Sequence, residues 1–247
     1  MKLLTDKRVV ITGGGSGIGA DMALAFAEAG AQVTITGRRK SALQAVADQH
    51  SHLDFAVVDV TDEAAMVALF EKIGRVDIVI ANAGAAESAP FAKTSFEQWQ
   101  RMLNVNLSGV FLTLREGLKQ LNDGGRLIAV ASTAGLKGYA YVGAYCAAKH
   151  GVVGLVRSLA AETATRNITV NALCPGFTDT PLLAASVDNI VAKTGQSAEQ
   201  ATSHFESTNP TGRLVTPAEV TATALWLCGP NSGAINGQAI SISGGEV

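Results

Sequence analysis

Arg8-Val9-Val10-Ile11-Thr12-Gly13-Gly14-Gly15-Ser16-Gly17-Ile18-Gly19 decides the fold. Four residues of strand character run straight into a turn that carries five glycines in seven positions, and a helix follows. Glycine allows the tight turn and lets backbone approach an anion. The free N–H groups and the dipole of the helix start favour a phosphate there. A glycine turn by itself says little. Set after a first strand and before a helix, it predicts a dinucleotide cradle.

The same rhythm continues outward from that stretch. Arg8–Ile11, Gln32–Thr36, Leu53–Val58, Asp77–Ala81, Arg126–Ala131, Thr169–Leu173 and Ala239–Ser243 read as seven strands. They are continuously apolar rather than alternating, as strands buried on both faces are. Helices fall between them. Thr94-x-x-Glu97 reads as a capping box opening a helix that reaches Leu121, and Thr216-Pro217-x-Glu219 as another. The pattern predicts an α/β fold: one Rossmann-type, doubly wound, parallel seven-stranded sheet with helices on both faces, a single domain over 1–247. One segment breaks the rhythm. Between Leu173 and Thr216 there is no strand, and Pro181–Lys193 and the stretch after Ser197, with Gln200 completing a cap, read as helices. This insertion follows a strand's carboxyl end, where open α/β sheets bind ligands, so a substrate lid is expected at about 178–213. A plain packing excursion is the competing reading.

Composition excludes several classes. The chain has 247 residues, 47% hydrophobic and 16% charged, with a net charge of −2. That supports a large core and points to neither nucleic acid nor an anionic membrane. No apolar run is long enough to span a bilayer, and no signal peptide is read at Met1-Lys2-Leu3-Leu4. Cys146, Cys174 and Cys228 are scattered and odd in number, which fits a reducing cytoplasm better than a disulfide framework. No cysteine or histidine pair has zinc spacing, so no metal is expected.

The chemistry is carried by Tyr145-Cys146-Ala147-Ala148-Lys149. Residues four apart share one face of a helix, so phenol and ammonium project together. A phenol titrates near pH ~10, and an ammonium beside it favours the phenolate. Such a pair is a general acid/base. Tyr141 is the competing phenol, one helical turn earlier, but its residue four on is Tyr145, not lysine. Ser132 lies thirteen residues before Tyr145.

With T-G-x-x-x-G-x-G at 12–19 and Y-x-x-x-K at 145–149, the chain resembles the short-chain dehydrogenase/reductase family in its short single-domain branch. Further matches follow in order: Asp59-Val60 where the family holds the adenine, Asn82-Ala83-Gly84 after the fourth strand, Asn106 in a helix, Ser132 at a strand end, and Pro175-Gly176 with Thr178 and Thr180 toward the nicotinamide. Ala81 departs from the family's frequent second asparagine. The resemblance implies Asn106, Ser132, Tyr145 and Lys149 as the catalytic set. Tyr145 exchanges the proton, Lys149 lowers its pKa and meets the nicotinamide ribose, Ser132 orients the carbonyl, and Asn106 holds a relay water. It implies Gly13, Gly15, Ser16, Gly17, Ile18 and Gly19 around the pyrophosphate. It also implies a homotetramer built on the long middle helices and on Gln238–Val247. A non-catalytic dinucleotide sensor is the alternative of another class. Such proteins lose the tyrosine or lysine, and this chain keeps both.

The second strand ends in Gly37-Arg38-Arg39. A carboxylate at that point would hold both ribose hydroxyls of NAD and repel a 2′-phosphate. Glycine followed by two forked cations favours NADP(H), with NAD(H) still open. The substrate is expected to be a small carbonyl or alcohol. Ala85–Ala89 and Ala134–Tyr141 would line an apolar pocket, with Tyr139, Tyr141 and Lys137 as exceptions. By resemblance to β-ketoacyl and polyketide ketoreductases, a 3-oxoacyl thioester or related β-keto compound is expected. A free ketone or secondary alcohol, aromatic ones included, is the alternative. Arg126 and Arg166 stand near positions where carrier-protein reductases present basic residues that could meet a phosphate, but solvated surface arginines are the favoured reading.

Overall fold

The computed structural model describes residues 2–247. β1 (Arg8–Thr12) lies inside the sheet, and every residue after Arg8 in it is buried. It pairs in parallel with β2 (Gln32–Gly37) on one side and β4 (Val76–Ala81) on the other. With β3 (Leu53–Val57), β5 (Leu121–Val130), β6 (Thr169–Pro175) and β7 (Ala239–Ile242), the order is β3-β2-β1-β4-β5-β6-β7, all parallel. The chain winds outward to β3 and then crosses back over β1 to β4. Ligands bind at such a reversal, beyond the carboxyl ends of the strands.

Neighbouring residues of one strand feed opposite cores. Val10 and Val79 join one cluster with Leu127, Val156 and Val170. Ile11 and Ile80 join the other with Phe26, Ile35 and Ile128. This is why the strands read as continuous apolar runs. Each such side chain contributes roughly 1.5–3 kcal/mol by leaving water. The carboxyl edge is therefore a stiff platform for whatever loops emerge from it.

The helices are α1 (Gly17–Glu28), α2 (Lys40–Ala47), α3 (Glu63–Ile73), α4 (Phe96–Leu103), α5 (Gly109–Gln120), α6 (Gly143–Thr163), α7 (Pro181–Thr194), α8 (Ala198–Thr208) and α9 (Pro217–Leu227). The boxes at Ser197/Gln200 and Thr216/Glu219 form as expected. The expected box at Thr94/Glu97 does not. Ser95 is the cap and accepts from the Gln98 amide at 3.1 Å. Thr94 instead donates to the Pro90 carbonyl, which closes a short 3-10 turn and leaves Thr94 outside the helix. The single helix expected up to Leu121 is also divided. A π turn, Asn104–Ser108, separates α4 from α5. Inside it, the Asn106 side-chain amide donates to the Met102 carbonyl four residues back, supplying the bond that a widened turn gives up.

Two other expectations shift. β5 begins at Leu121, well before Arg126, and its register against β4 slips between Val76 and Ile78. Tyr141 is not helical: its φ is +68°, and α6 starts after it. The segment 178–213 holds α7 and α8, tied to Val215, two residues before α9, by an isolated bridge from Thr178. Among the described residues no helix is long and apolar enough to cross a membrane.

Candidate active site

The glycine turn is built into the sheet, not merely attached to it. Gly13 has φ +68°, and a side chain there would come within 2.8 Å of the Ala83 Cα. At Gly19 a side chain would collide with the Gly13 carbonyl and the Asn82 amide. Asn82 Nδ2 donates to the Thr12 and Gly13 carbonyls at 3.0 and 3.2 Å. Thr12 Oγ1 accepts from the amides of Asn82 and Ala83, each at 3.1 Å. Thr12 and the side chain of Asn82 thus fix the turn to the end of β4. Sequence reasoning missed this clamp, because it assigned Asn82 by its backbone alone.

Gly15, Ser16, Gly17 and Ile18 face the cleft at the start of α1, and the Ser16 side chain caps nothing in the helix. Arg39 Nη2 lies 3.4 Å from Ser16 Oγ and donates to it. Arg38 is largely exposed at the rim, 3.9 Å from Asp59 Oδ2. Asp59 itself accepts from the amide and hydroxyl of Thr61. Val60 is buried where α5 crosses, 2.7 Å from the point a side chain at Gly109 would occupy.

Tyr145 and Lys149 stand one turn apart on α6, with the lysine Nζ 5.5 Å from the phenol ring centre. Lys149 is buried and donates to the Val130 carbonyl at 2.8 Å. Ser132, at the end of β5, accepts from the Ala134 amide at 3.1 Å. The expectation that Lys149 lowers the phenol's pKa is not met by the protein's own groups. Burial pushes Tyr145 up to about 12, against the pull of the Ser132 hydroxyl. Burial also pulls Lys149 down to about 8. Desolvation is the largest influence on each group and disfavours both charged forms. The phenol keeps some access to the cleft.

Asn106 is fully buried. Its Nδ2 donates to the Ala85 and Met102 carbonyls, and its Oδ1 accepts from the Ala85 amide at 3.1 Å. Both amide hydrogens are engaged, so a relay water would find only acceptors on Asn106. A side chain at Gly84 would lie 3.0 Å from that oxygen and 3.8 Å from Lys149 Nζ. The 84–85 backbone, Asn106 and Lys149 therefore meet at one point.

Pro175 ends β6, and the Gly176 amide donates to the Ile242 carbonyl at 3.0 Å. Thr178 turns its hydroxyl to the Gly176 carbonyl. Thr180 caps α7 by accepting from the Leu183 amide. Thr180 also sits against the glycine turn, 3.2 Å from where a side chain at Gly17 would be. Asn189, on α7, donates to Ser88 Oγ at 3.2 Å across the opening. The cleft so enclosed is about 1640 Å³ and is bordered by almost all the residues named above.

Arg126 and Arg166 lie elsewhere. Arg126 is paired with Thr169, the first residue of β6, at the edge opposite the cleft. Its guanidinium is held by the Leu227, Gly124 and Gly125 carbonyls. Arg166 is held by Asp123 and the Leu121 carbonyl. Neither is a free surface cation waiting for a phosphate.

A family model described as enoyl-(acyl carrier protein) reductase matches residues 13–246. The chain belongs to the short-chain dehydrogenase/reductase family. It is 32% identical to an acetoacetyl-CoA reductase of an Acinetobacter species, over 97% of each chain. A single-substitution variant of actinorhodin polyketide ketoreductase, solved with NADPH, superposes with a TM-score of 0.90 at 32% identity, covering 98% of this chain and 97% of that one. Levodione reductase superposes with a TM-score of 0.91 at 31% identity, covering 98% of each. As a member of this family the chain is an oxidoreductase acting between CH–OH and C=O.

Proposed function

We propose that the chain is an NADP(H)-dependent ketoreductase of β-keto compounds, a 3-oxoacyl thioester or a related ketone. The carrying observation is the convergence of Tyr145, Lys149 and Ser132 in the cleft whose other end presents Arg38 and Arg39. The protein fits a dinucleotide: its glycines let the turn pack closely on Ala83 and Asn82, while Gly15, Ser16, Gly17 and Ile18 at the start of α1 border the cleft. Gly13, Gly15, Ser16, Gly17, Ile18 and Gly19 would hold the pyrophosphate. Arg38 and Arg39 would take a 2′-phosphate, with no carboxylate at Gly37 to oppose it. Asp59 and Val60 would border the adenine. Asn82, Ala83, Gly84, Pro175, Gly176, Thr178 and Thr180 would hold the nicotinamide half. NADPH supplies the hydride when bound.

The chain's own part is proton and position. Tyr145, with its pKa near 12, keeps its proton at neutral pH and is ready to donate it to a carbonyl oxygen. Ser132 donates to the same oxygen and fixes its approach. Lys149 lies behind the phenol as the next proton source, and Asn106 holds the 84–85 backbone beside it. α7 and α8 act as a lid, hinged beside Thr178 and latched by Asn189 to Ser88. The proposal includes a homotetramer in a reducing cytoplasm, which suits three unpaired cysteines. Light scattering of the purified protein tests the assembly.

Free ketones are the second reading, favoured by one observation. With Arg126 and Arg166 engaged at the far edge, they offer a carrier phosphate no contact near the cleft. Purified protein assayed with NADPH and NADH against acetoacetyl-CoA and simple ketones separates the two. Activity on the ketones alone removes the thioester. A preference for NADH removes the role of Arg38 and Arg39.

A further inference from the structure

The segment after β7, Ser243-Gly244-Gly245-Glu246-Val247, turns toward Asn209 and Tyr139, the latter of which borders the cleft. Gly244 has φ +63°, and a side chain there would collide with Asn209 just beyond α8. The turn delivers the Glu246 side chain into the interior, where it is 3% exposed. Its Oε1 accepts from Tyr139 Oη at 2.6 Å and from Lys137 Nζ at 3.0 Å. Thr133 Oγ1 is 2.7 Å from the same phenol oxygen. The carboxylate can only accept, so the phenol proton points to Glu246 and Thr133 donates in turn. Glu246 Oε2 is buried without a partner. A buried carboxylate so incompletely satisfied calls for an explanation other than fold stability.

What Glu246 holds is a wall. Tyr139 packs edge-on against Phe177 with ring centres 5.7 Å apart, and Phe177 packs on Phe205 at 4.6 Å. All three rings border the cleft. They come from three separate segments: the loop before α6, the turn after β6, and α8 in the proposed lid. In a chain with 5% aromatic residues, three rings joined by two consecutive contacts along one side of the cleft are a concentrated surface. Phenol rings present flat apolar faces that take planar groups by offset or edge contact. Tyr139 is not a rival acid, since its one proton is already committed to Glu246 Oε1.

We propose that Glu246 is a positioning residue for substrate specificity: by anchoring Tyr139 it fixes the Tyr139–Phe177–Phe205 wall, which takes an aryl or other planar conjugated group attached to the substrate ketone. The proposal rests on the reading that ketones are reduced at Tyr145.

The test compares ethyl benzoylacetate with ethyl acetoacetate, which differ in the group on the ketone. Wild type is expected to favour the aryl ester by tenfold or more in kcat/KM. Glu246→Ala should raise KM for the aryl ester at least fivefold, with its kcat and the KM of the methyl ester within twofold of wild type. Tyr139→Phe keeps the ring but loses the anchor, and should do the same. Glu246→Gln can still accept from the phenol and should stay within twofold of wild type. If Glu246→Ala does not fold, Tyr139→Phe decides. No aryl preference in wild type, or equal KM changes for both esters, overturns the proposal. Calorimetric titration with benzoylacetone in the absence of NADPH separates this from the reaction itself. Weaker binding in Glu246→Ala with neither ester reduced would sink the reductase reading and leave the wall standing. Reduction of both esters with binding indifferent to Glu246 would do the reverse.

Discussion

The floor of the cleft and the segment above it are held by different means. The floor is fixed by bonds between residues far apart in sequence: Asn82 to Thr12 and Gly13, Lys149 to Val130, Asn106 to Ala85. Its side chains are mostly buried. The α7–α8 segment is shaped mostly by local signals, with few long-range ties such as Asn189 to Ser88 and Phe205 to Phe177. Thr180 and Ser197 cap their own helices, and Gly195 in the left-handed region ends α7. Only Leu183, Val187 and Ala201 of these two helices are buried. A region built from local signals can open without disturbing the platform, whereas the floor cannot shift without breaking the sheet's edge. The difference teaches where precision is kept and where motion is allowed.

The largest expected effect lies in the floor. Tyr145→Phe removes the proton donor and should lower kcat by about 10²–10⁴-fold while the NADPH dissociation constant stays within threefold. Fluorescence titration beside steady-state rates checks both. Undiminished turnover would break the assignment.

Lys149 gives the next effect, in stability. Its folded pKa is near 8, below the free value of 10.5, so between those pH values the unfolded chain binds more protons. Stability from this group therefore rises as pH climbs through that window. Lys149→Met abolishes that slope. The difference between wild type and variant in unfolding free energy, measured by urea titration, should shift by about 3 kcal/mol from pH 8 to 10.5. Taking the difference cancels Cys228, whose raised pKa acts in the opposite sense above pH 9, whereas Cys174, which interacts with Lys149, enters the difference with it. A flat difference would mean the ammonium is solvated.

At the rim, Arg38→Ala should raise KM for NADPH roughly tenfold and leave NADH within twofold, in line with the loss of a charge-assisted contact to phosphate. Equal changes for both cofactors would move the phosphate elsewhere. The smallest effect belongs to the upper segment. Ser197→Ala removes half of a capping box worth about 1 kcal/mol. Hydrogen exchange over 198–208 should quicken several-fold while the global melting temperature moves by less than ~2 °C. A cooperative drop of the whole protein would erase the contrast between floor and lid.

The same contrast explains what could be read from the chain alone. Strand buried on both faces announces itself by apolar runs, and the glycine turn by its place after the first of them. Tyr145 and Lys149 were legible because four residues on one helix is a local relation. The boxes at Ser197 and Thr216 were legible for the same reason. Asn82 on Thr12, and Glu246 on Tyr139, join residues whose neighbours in sequence say nothing of each other. Thr94 lost the cap to Ser95 because a bond back to Pro90 competes with it. The phenol's raised pKa was invisible because desolvation belongs to the packed interior, not to the spacing of two side chains.

The π turn at Asn104–Ser108 has a consequence for chain length. An α-helix turns about 100° per residue, so the widened turn sets α5 at a rotation that a continuous helix from Phe96 would not reach. At that rotation Gly109 faces Val60 and Gly117 faces Val79, and an added side chain at either would be too close to the valine. Deleting one residue from 104–108 would straighten the helix and swing those glycines off the sheet, bringing larger side chains against it. Surface loops of such a protein can lengthen or shorten over generations. This helix, though continuous to the eye, has its residue count fixed from the middle.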